Sequence, residues 1–348
     1  MQVSMLTRVL AGAAAASLPF AVQAIDLTGA GASFPAPVYA KWAEAYKAQT
    51  GHAINYQAIG SGGGVKQIKA KTVDFGATDD PVPGAQLEKD GLVQFPAVIG
   101  GVVPVVNVQG VEPGKMVLDA NVLAAIFSGK VSKWNDPVVA KLNPSLKLPD
   151  QAITPVYRSD SSGTTAVFTG YIAEVVPNFK KDVGAGKTVD WPSGVGGKGN
   201  AGVAANVMKL KGSIGYVEYA YAKQNKLSHT AIVNREGKTV QPDERTFAAA
   251  AANADWTKAP GFGISLNNQP GADAWPITSA TFILMHTKPV DAERSTEVLR
   301  FFRWALENGG DMAKELDYVP MPANTVKQIE DSWKAIQGIG NLTDASSK

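Results

Sequence analysis

The sequence of 348 residues contains no cysteine. No disulfide can stabilise it, but a chain of this length, with 45% hydrophobic residues, can be held together by burial of a large apolar core. Its 33 lysines and arginines nearly balance its 31 aspartates and glutamates, which leaves a formal net charge of +2. No overall field therefore steers the chain to nucleic acid or to a membrane, and local dipoles and a few side chains must catch any charged ligand.

Patterns that mark common hydrolytic and metal-dependent enzymes are also missing. The three histidines fall in no metal-ligand spacing. Ser33, Ser61 and Ser162 do not stand in a G-x-S-x-G nucleophile elbow. The glycine-rich run at 60–64 lacks the Gly-Lys-Ser/Thr that completes a P-loop. We therefore predict no catalytic residue, no cofactor and no metal site.

A single apolar run of notable length lies at the N-terminus. Arg8 is the only charged residue there, an alanine-rich stretch follows from Val9 to Val22, and small residues then precede Ile25. The run is too short to span a membrane and no stop-transfer charges follow, so it predicts a signal peptide over residues 1–24 rather than a buried helix. Because no cysteine is available for lipid attachment, we expect a free, exported protein in a Gram-negative periplasm.

Short β-type runs alternate with amphipathic helical runs along the remaining chain. Ala53–Ala58 and Ile153–Tyr157 are predicted strands, and Thr164–Val176 is a predicted helix. A Gly-Gly pair splits residues 95–108 into two apolar runs, and the glycine-rich stretch 191–202 is predicted to be a loop. The alternation predicts an α/β architecture, and the length suggests about two domains.

One local pattern occurs three times: a predicted strand ends, a serine with small neighbours follows, and a helix begins. The three sites are Gly31-Ala32-Ser33-Phe34, Gly60-Ser61-Gly62-Gly63-Gly64 and Ser161-Ser162-Gly163-Thr164. The first turn of a helix leaves N–H groups without internal partners and carries partial positive charge, and glycine lets an anion approach closely. The pattern thus predicts anion sites, although a serine at a helix start is more commonly only an N-cap.

Two charged residues stand at comparable strand ends. Arg158 precedes Ser162 by four residues, its guanidinium can bind an oxyanion through paired hydrogen bonds, and Asp160 is close enough to orient it. Asp79 follows another predicted strand. Phosphate near neutral pH keeps at least one proton, since its second pKa is about 6 to 7, so a buried carboxylate could accept a hydrogen bond from it and repel unprotonated sulfate. Surface pairing of Arg158 and a turn or cap role for Asp79 are the alternatives.

At these motifs the chain resembles the periplasmic phosphate-binding proteins of high-affinity phosphate uptake systems. The matching stretches cover essentially the whole mature chain: TGAGASFP (28–35), YQAIGSGGGVK (56–66), VDFGATD (73–79), IFSGKVSKWND (126–136), RSDSSGT (158–164), GGKGN (196–200), IGYVEYAYAKQN (214–225) and WPITS (275–279). The resemblance implies a type II periplasmic binding fold, with two α/β lobes around a ligand cleft and a two-crossing hinge. Lobe I would comprise residues 25–107 and 280–348, and lobe II residues 108–279.

The resemblance also implies the ligand set. The matching positions are Ser33, Phe34, Ser61 and Asp79 on lobe I and Arg158, Ser162, Gly163 and Thr164 on lobe II, with Asp160 restraining the arginine. Small departures from the family pattern are Ser33 in place of Thr, Ser161 in place of Gly, and Gly62 beside Ser61. None removes a donor, though Ser161 could alter its turn.

The implied function is that of a monomeric periplasmic receptor for inorganic phosphate. It would select the protonated oxyanion and deliver it to membrane ABC permease subunits that work with a cytoplasmic ATPase, without enzymatic activity and without a nucleic-acid partner. Two alternatives stay open: a receptor for another oxyanion on the same fold, and a secreted phosphohydrolase, which would need a metal cluster or an activated nucleophile.

Overall fold

The computed structural model describes residues 24–343. The signal peptide predicted over residues 1–24 lies outside this range apart from Ala24, and it stays a prediction. Strands and helices alternate along the described chain, so the predicted α/β class is confirmed. Between residues 24 and 343, no helix combines the length and the apolar character needed to cross a bilayer.

The strands range from two to fifteen residues. They are Asp26–Gly31 (β1), Ala53–Ala58 (β2), Phe75–Thr78 (β3), Leu92–Val106 (β4), Val117–Leu118 (β5), Thr154–Arg158 (β6), Val195–Gly197 (β7), Ser213–Glu218 (β8), Ser228–His229 (β9), Ala231–Val233 (β10), Thr239–Val240 (β11), Thr278–His286 (β12) and Val319–Pro320 (β13).

The helices connect these strands. They are Ala36–Thr50 (α1), Ser61–Lys69 (α2), Gly84–Asp90 (α3), Ala120–Phe127 (α4), Pro137–Leu142 (α5), Gly163–Val175 (α6), Pro177–Asp182 (α7), Gly199–Lys209 (α8), Tyr219–Gln224 (α9), Glu244–Ala251 (α10), Ala292–Asn308 (α11), Gly310–Lys314 (α12) and Ala323–Ser332 (α13). Short 3₁₀ turns occur at Trp256–Lys258, Pro260–Phe262 and Trp333–Ala335.

The main sheet has the strand order β2-β1-β3-β12-β4-β8-β6-β7, and the long strand β4 runs through its middle. The first part of β4 pairs antiparallel with β12, from Gly101 opposite Thr278 to Leu92 opposite His286. Its last five residues pair instead with β8, antiparallel. Parallel strands from the N-terminal segment therefore lie on one side of β4 and parallel strands from the middle segment lie on the other.

The predicted lobe crossings, near residues 107 and 279, fall at the end of β4 and the start of β12. The lobe boundaries themselves stay predictions. The parallel strands on each side of β4 are followed by helices, so the strand ends and helix starts of both sides can meet beside β4.

One feature of the sequence does not divide the structure, and one local prediction is wrong. The Gly-Gly pair does not interrupt residues 95–108, because β4 is one strand that pairs on both edges. A Cβ on Gly100 would lie 2.9 Å from Phe34 Cζ, so glycine there makes room for a buried ring. The stretch 191–202 is not a continuous loop, because Val195–Gly197 adds a parallel strand beside β6 and α8 begins at Gly199.

Aromatic clusters fix the helices that lead to the site. On one side, the Phe302 ring of α11 makes edge contacts with Tyr39, Phe75 and Phe95, which anchors α1 against the sheet. On the other side, the Phe168 ring of α6 stacks on Tyr216 of β8 with 4.3 Å between centroids. Since both residues are fully buried, the start of α6 is held firmly beside β8.

Candidate anion-binding site

The loop after β1 has three consecutive carbonyl groups, at residues 32–34, that each accept a hydrogen bond from a tyrosine hydroxyl. Tyr56 donates to the first over 2.6 Å, Tyr221 to the second over 2.7 Å and Tyr318 to the third over 2.6 Å. Engaged carbonyl oxygens cannot turn toward an anion, so the loop can offer its amides instead. The sequence analysis did not predict this role, because the three tyrosines come from distant parts of the chain.

Ser33 is buried at 3% exposure, and its hydroxyl oxygen accepts two hydrogen bonds from Asn200. The backbone N–H donates over 3.0 Å and the side-chain Nδ2 over 2.8 Å. Both lone pairs of the serine oxygen are then occupied, so its hydrogen must point to another acceptor. The N–H of Glu218 donates to Asn200 Oδ1 over 2.9 Å, which fixes the orientation of the amide.

Ser61 repeats this arrangement at the start of α2. Its fully buried hydroxyl oxygen accepts from the backbone N–H groups of Asp79 and Gly163, each over 3.1 Å. The preceding Gly60 has φ 89°, a conformation that glycine adopts readily and other residues rarely do. Neither Ser33 nor Ser61 caps a helix through its side chain, so the N-cap alternative does not apply to them.

Arg158, at the end of β6, is 5% exposed and is held by Asp160. Its Nε donates to Oδ1 over 2.8 Å and its Nη2 to Oδ2 over 2.5 Å. Burial would raise the pKa of Asp160, but the hydrogen bonds and charge of Arg158, with the N–H of Gly199, hold that pKa below its usual value. The carboxylate therefore stays ionised and fixes the direction of the guanidinium.

Thr164 stands in the first turn of α6 and receives two donors on its hydroxyl oxygen. Arg158 Nη1 and Asn200 Nδ2 each lie 3.2 Å from Oγ1. Its hydrogen, like those of Ser33 and Ser61, must therefore be donated elsewhere.

Ser162 and Gly163 have different surroundings. The Ser162 hydroxyl caps α6 by accepting from Thr165 N–H over 3.0 Å, and its own N–H donates to the Lys187 carbonyl over 3.0 Å. The Gly163 N–H donates to Ser61, and a Cβ on this glycine would overlap Ser61 Oγ and lie 2.7 Å from Asp79 Oδ2. Both residues border the site, and their role as anion ligands stays a prediction.

Asp79 places a buried carboxyl group beside Ser61 and Gly163. It is 1% exposed, and neither carboxylate oxygen has a hydrogen-bond partner among residues 24–343. Burial raises its pKa to about 7 and Asp80 adds to the shift, while Thr281, Arg158 and Ser61 oppose it. The Thr281 hydroxyl lies near enough to act on this pKa, but it does not reach hydrogen-bond geometry.

The structure places most of the predicted residues in two hydrogen-bonded groups, which adjoin where Thr164 follows Gly163 at the start of α6. Ser61 links Asp79 to Gly163, and Asn200 links Ser33 to Thr164 and through it to Arg158. A cleft of about 220 Å³ opens between the segment 79–81 and α6, and Asp79 is the one predicted ligand that lines it. Asn200 is the central residue that sequence reasoning did not single out, although it ends the GGKGN stretch. No cluster of three potential metal ligands occurs among the described residues.

A family model described as the PBP superfamily domain matches residues 15–308. The phosphate-binding protein PstS of Haemophilus influenzae is 54% identical over 318 residues, which are 91% of this chain and 95% of that relative. The chain belongs to the family of PstS phosphate-binding proteins. The resemblance inferred from its motifs is confirmed by this match.

Solved structures of phosphate-binding proteins share the fold of this PstS family member. A high-affinity periplasmic phosphate-binding protein, solved with phosphate at pH 8.5, aligns with a TM-score of 0.71 at 19% identity, over 91% of this chain and 99% of that one. The phosphate-binding protein of Stenotrophomonas maltophilia aligns with a TM-score of 0.67 at 19% identity, over 92% and 99%. The predicted type II periplasmic binding fold is therefore confirmed.

Proposed function

We propose that this protein is the phosphate receptor of an ABC-type importer and that it binds the anion at the network around Ser33, Ser61, Asp79 and Arg158. The supporting observation is the number of hydroxyl hydrogens that have no acceptor assigned. Three buried hydroxyl oxygens are each saturated by N–H donors, so three O–H groups are left to donate to an acceptor. Such a donor-rich site suits an oxyanion.

The single acceptor supports phosphate as the particular oxyanion. Asp79 is buried and unpartnered, which is costly for a carboxylate unless a ligand donates to it. Hydrogen phosphate can donate its remaining proton, whereas sulfate has none and would place a bare oxygen against a carboxylate. Selection of the protonated anion follows from this one residue.

Contacts between the N-terminal and middle segments support closure around the ligand. The Gly62 N–H donates to the Ser161 carbonyl over 3.0 Å, Gly163 donates to Ser61, and Lys187 pairs with Asp80 at the rim. Because the donors come from both predicted lobes, bound phosphate favours the closed form over an open one. The closed form would then deliver phosphate to membrane permease subunits that depend on a cytoplasmic ATPase.

The remaining parts of the proposal concern location and activity. The predicted signal peptide and the absence of cysteine support a free periplasmic protein. The hydroxyl groups of Ser33, Ser61 and Thr164 accept from amide and guanidinium N–H groups, and in the described chain no histidine contacts them as a general base. We therefore propose a receptor without hydrolytic activity, and we keep the predicted monomeric state as a separate part of the proposal.

Calorimetric titration of the mature, phosphate-stripped protein with phosphate, arsenate and sulfate tests the proposal. Phosphate should bind at one site and sulfate more weakly. Asp79→Asn should reduce the difference in affinity between phosphate and sulfate. The matched control Asp80→Asn, at the rim beside Lys187, should leave that difference unchanged. Equal binding of sulfate and phosphate by the wild type would favour a receptor for another oxyanion. Release of phosphate from an ester would favour a hydrolase.

A further inference from the structure

The hydroxyl group of Tyr318 lies between two oxygen atoms that ordinarily only accept. It is 2.6 Å from the Phe34 carbonyl oxygen and 2.7 Å from Glu218 Oε2, and all three residues are fully buried. Two oxygen–oxygen contacts of this length need two hydrogens. Tyr318 supplies one and the carbonyl supplies none, so the second hydrogen belongs on Glu218.

We propose that Glu218 is a protonated carboxylic acid that donates to Tyr318, which allows Tyr318 to donate to the Phe34 carbonyl and so positions the loop of the phosphate site. An ionised Glu218 would compete for the single phenolic hydrogen. In one of the two short contacts, two buried oxygen atoms would then lie against each other with no hydrogen between them, which is unfavourable.

The surroundings of Glu218 agree with a neutral carboxyl. Its Oε2 accepts from Ala220 N–H over 3.0 Å, and its Oε1 has no partner among residues 24–343. Burial raises its pKa well above the usual value and Asp317 adds to the rise, although the hydrogen bonds that it shares with Tyr318 and Ala220 oppose it. Lys223, a cation of the following helix, is paired with Asp317.

Other ionisable groups near this carboxyl do not supply a counter-charge either. Tyr221 and Tyr219 are neutral phenols whose own pKa values are raised by burial. Arg158 is engaged by Asp160, and Asp79 is a further acid that acts on Tyr318. No cation of the described chain therefore offsets a negative charge on Glu218.

The position of Glu218 explains why its proton should matter for binding. Its backbone N–H orients the Asn200 amide, which in turn directs the hydroxyl groups of Ser33 and Thr164. Its side chain reaches the same loop through Tyr318 and the Phe34 carbonyl. One residue of the middle segment thus holds the N-terminal loop of the site by two routes, and we assign it as a positioning residue.

Infrared spectroscopy of the ligand-free protein tests the protonation state without depending on phosphate binding. At neutral pH the wild type should show the C=O stretch of a protonated carboxylic acid, set apart from the carboxylate bands. The part due to Glu218 should vanish in Glu218→Gln, persist in Asp79→Asn and shift in Tyr318→Phe, because the phenol that accepts its hydrogen bond is gone. Spectra in which neither Glu218→Gln nor Tyr318→Phe alters a protonated-carboxyl band would overturn the proposal.

The positioning role rests on the proposed function and is tested by phosphate affinity as a function of pH. Above the pKa of Glu218, wild-type affinity should fall relative to that of Glu218→Gln by up to about tenfold per pH unit, since one proton is linked to binding. The titration of phosphate itself is common to both proteins and cancels in the ratio. The side chain of Glu218→Gln cannot accept from the Ala220 N–H at the same position, but it keeps a hydrogen to donate to Tyr318. Glu218→Gln should therefore bind phosphate more tightly than Glu218→Leu.

The infrared and affinity measurements can contradict the two hypotheses independently of each other. If no variant and no wild type binds phosphate, the proposed function is wrong, while the infrared result still decides the state of Glu218. If the affinity ratio is flat with pH and glutamine binds no better than leucine, Glu218 does not position the site.

Discussion

The Gly163 N–H donates to the Ser61 hydroxyl oxygen over 3.1 Å and joins the start of α6 to the start of α2. These two helix starts lie 102 residues apart in the chain. The bond occupies one lone pair of Ser61 and helps to direct its hydrogen to the proposed anion. It also requires that nothing larger than hydrogen stands on the Gly163 Cα.

Gly163→Ala should therefore weaken phosphate binding without unfolding the protein. The added methyl would overlap Ser61 Oγ, and overpacking of this kind costs about 1–3 kcal/mol, or roughly 5- to 150-fold in affinity. Gly170→Ala on the same helix is the matched control, because a Cβ there lies 3.5 Å from its nearest neighbour. Calorimetry gives the affinities and circular dichroism the fold. Equal losses in both variants would mean that the effect comes from α6 in general.

Local patterns predicted segments that lie together in the fold, but they did not predict the hydrogen bonds between those segments. β2 has the predicted bounds because Gly51 ends the preceding helix and Gly60 begins the next turn. The strand, serine and helix pattern also found three of the segments that meet beside β4. Asn200 could not be found in this way, since its contact with Ser33 spans 167 residues and only the completed fold creates it.

The errors have the same cause. Glycine weakens an isolated strand, yet Gly100 and Gly101 lie where β4 pairs with β12, and those ladder bonds outweigh the local preference. The role of Tyr318 was not predicted, because its sequence neighbours carry no sign that its hydroxyl contacts Glu218 and Phe34. Tertiary hydrogen bonds of buried polar groups are set by distant segments and leave little trace in local periodicity.

Asp79 should make the stability of the ligand-free protein depend on pH. Its folded pKa of about 7 lies above the ordinary aspartate value of 3.8, so the folded state holds the proton more tightly. The associated stability is fully present below the unfolded pKa, declines as pH rises from about 4 and is lost above about 7, at most roughly 4 kcal/mol in all. Urea unfolding at a series of pH values should show this decline in the wild type and not in Asp79→Asn. If the free energy of unfolding changed with pH in the same way for both proteins, Asp79 would have an ordinary pKa.

Arg158→Ala should lower phosphate affinity by about 1.5–3 kcal/mol or more, because a charged hydrogen-bond donor is removed from a buried site. It also leaves the half-buried Asp160 without its partner, which adds negative charge near the anion. Arg235→Ala, at an exposed position whose guanidinium donates to the Asn268 carbonyl, is the control. Calorimetry should show a phosphate affinity at least tenfold lower for Arg158→Ala than for Arg235→Ala. An unchanged affinity for Arg158→Ala would remove this arginine from the site.

Asn200→Asp should harm phosphate binding more than Asn200→Ala. The amide Nδ2 donates to the hydroxyl oxygens of Ser33 and Thr164, which turns their hydrogens toward the anion. Alanine removes this direction but leaves both hydroxyls free to rotate. A carboxylate at the same position would accept their hydrogens, turn the hydroxyl oxygens outward and add a charge that repels phosphate. Because the Glu218 N–H still has an oxygen to bind, the aspartate variant should fold, so its phosphate affinity reports on the direction of the hydroxyl groups.

We expect phosphate affinity to fall roughly tenfold or more for Asn200→Ala, on the order of one or two lost hydrogen bonds, and to fall further for Asn200→Asp. The reverse order, with aspartate binding phosphate more tightly than alanine, would show that the hydroxyl groups do not act as donors.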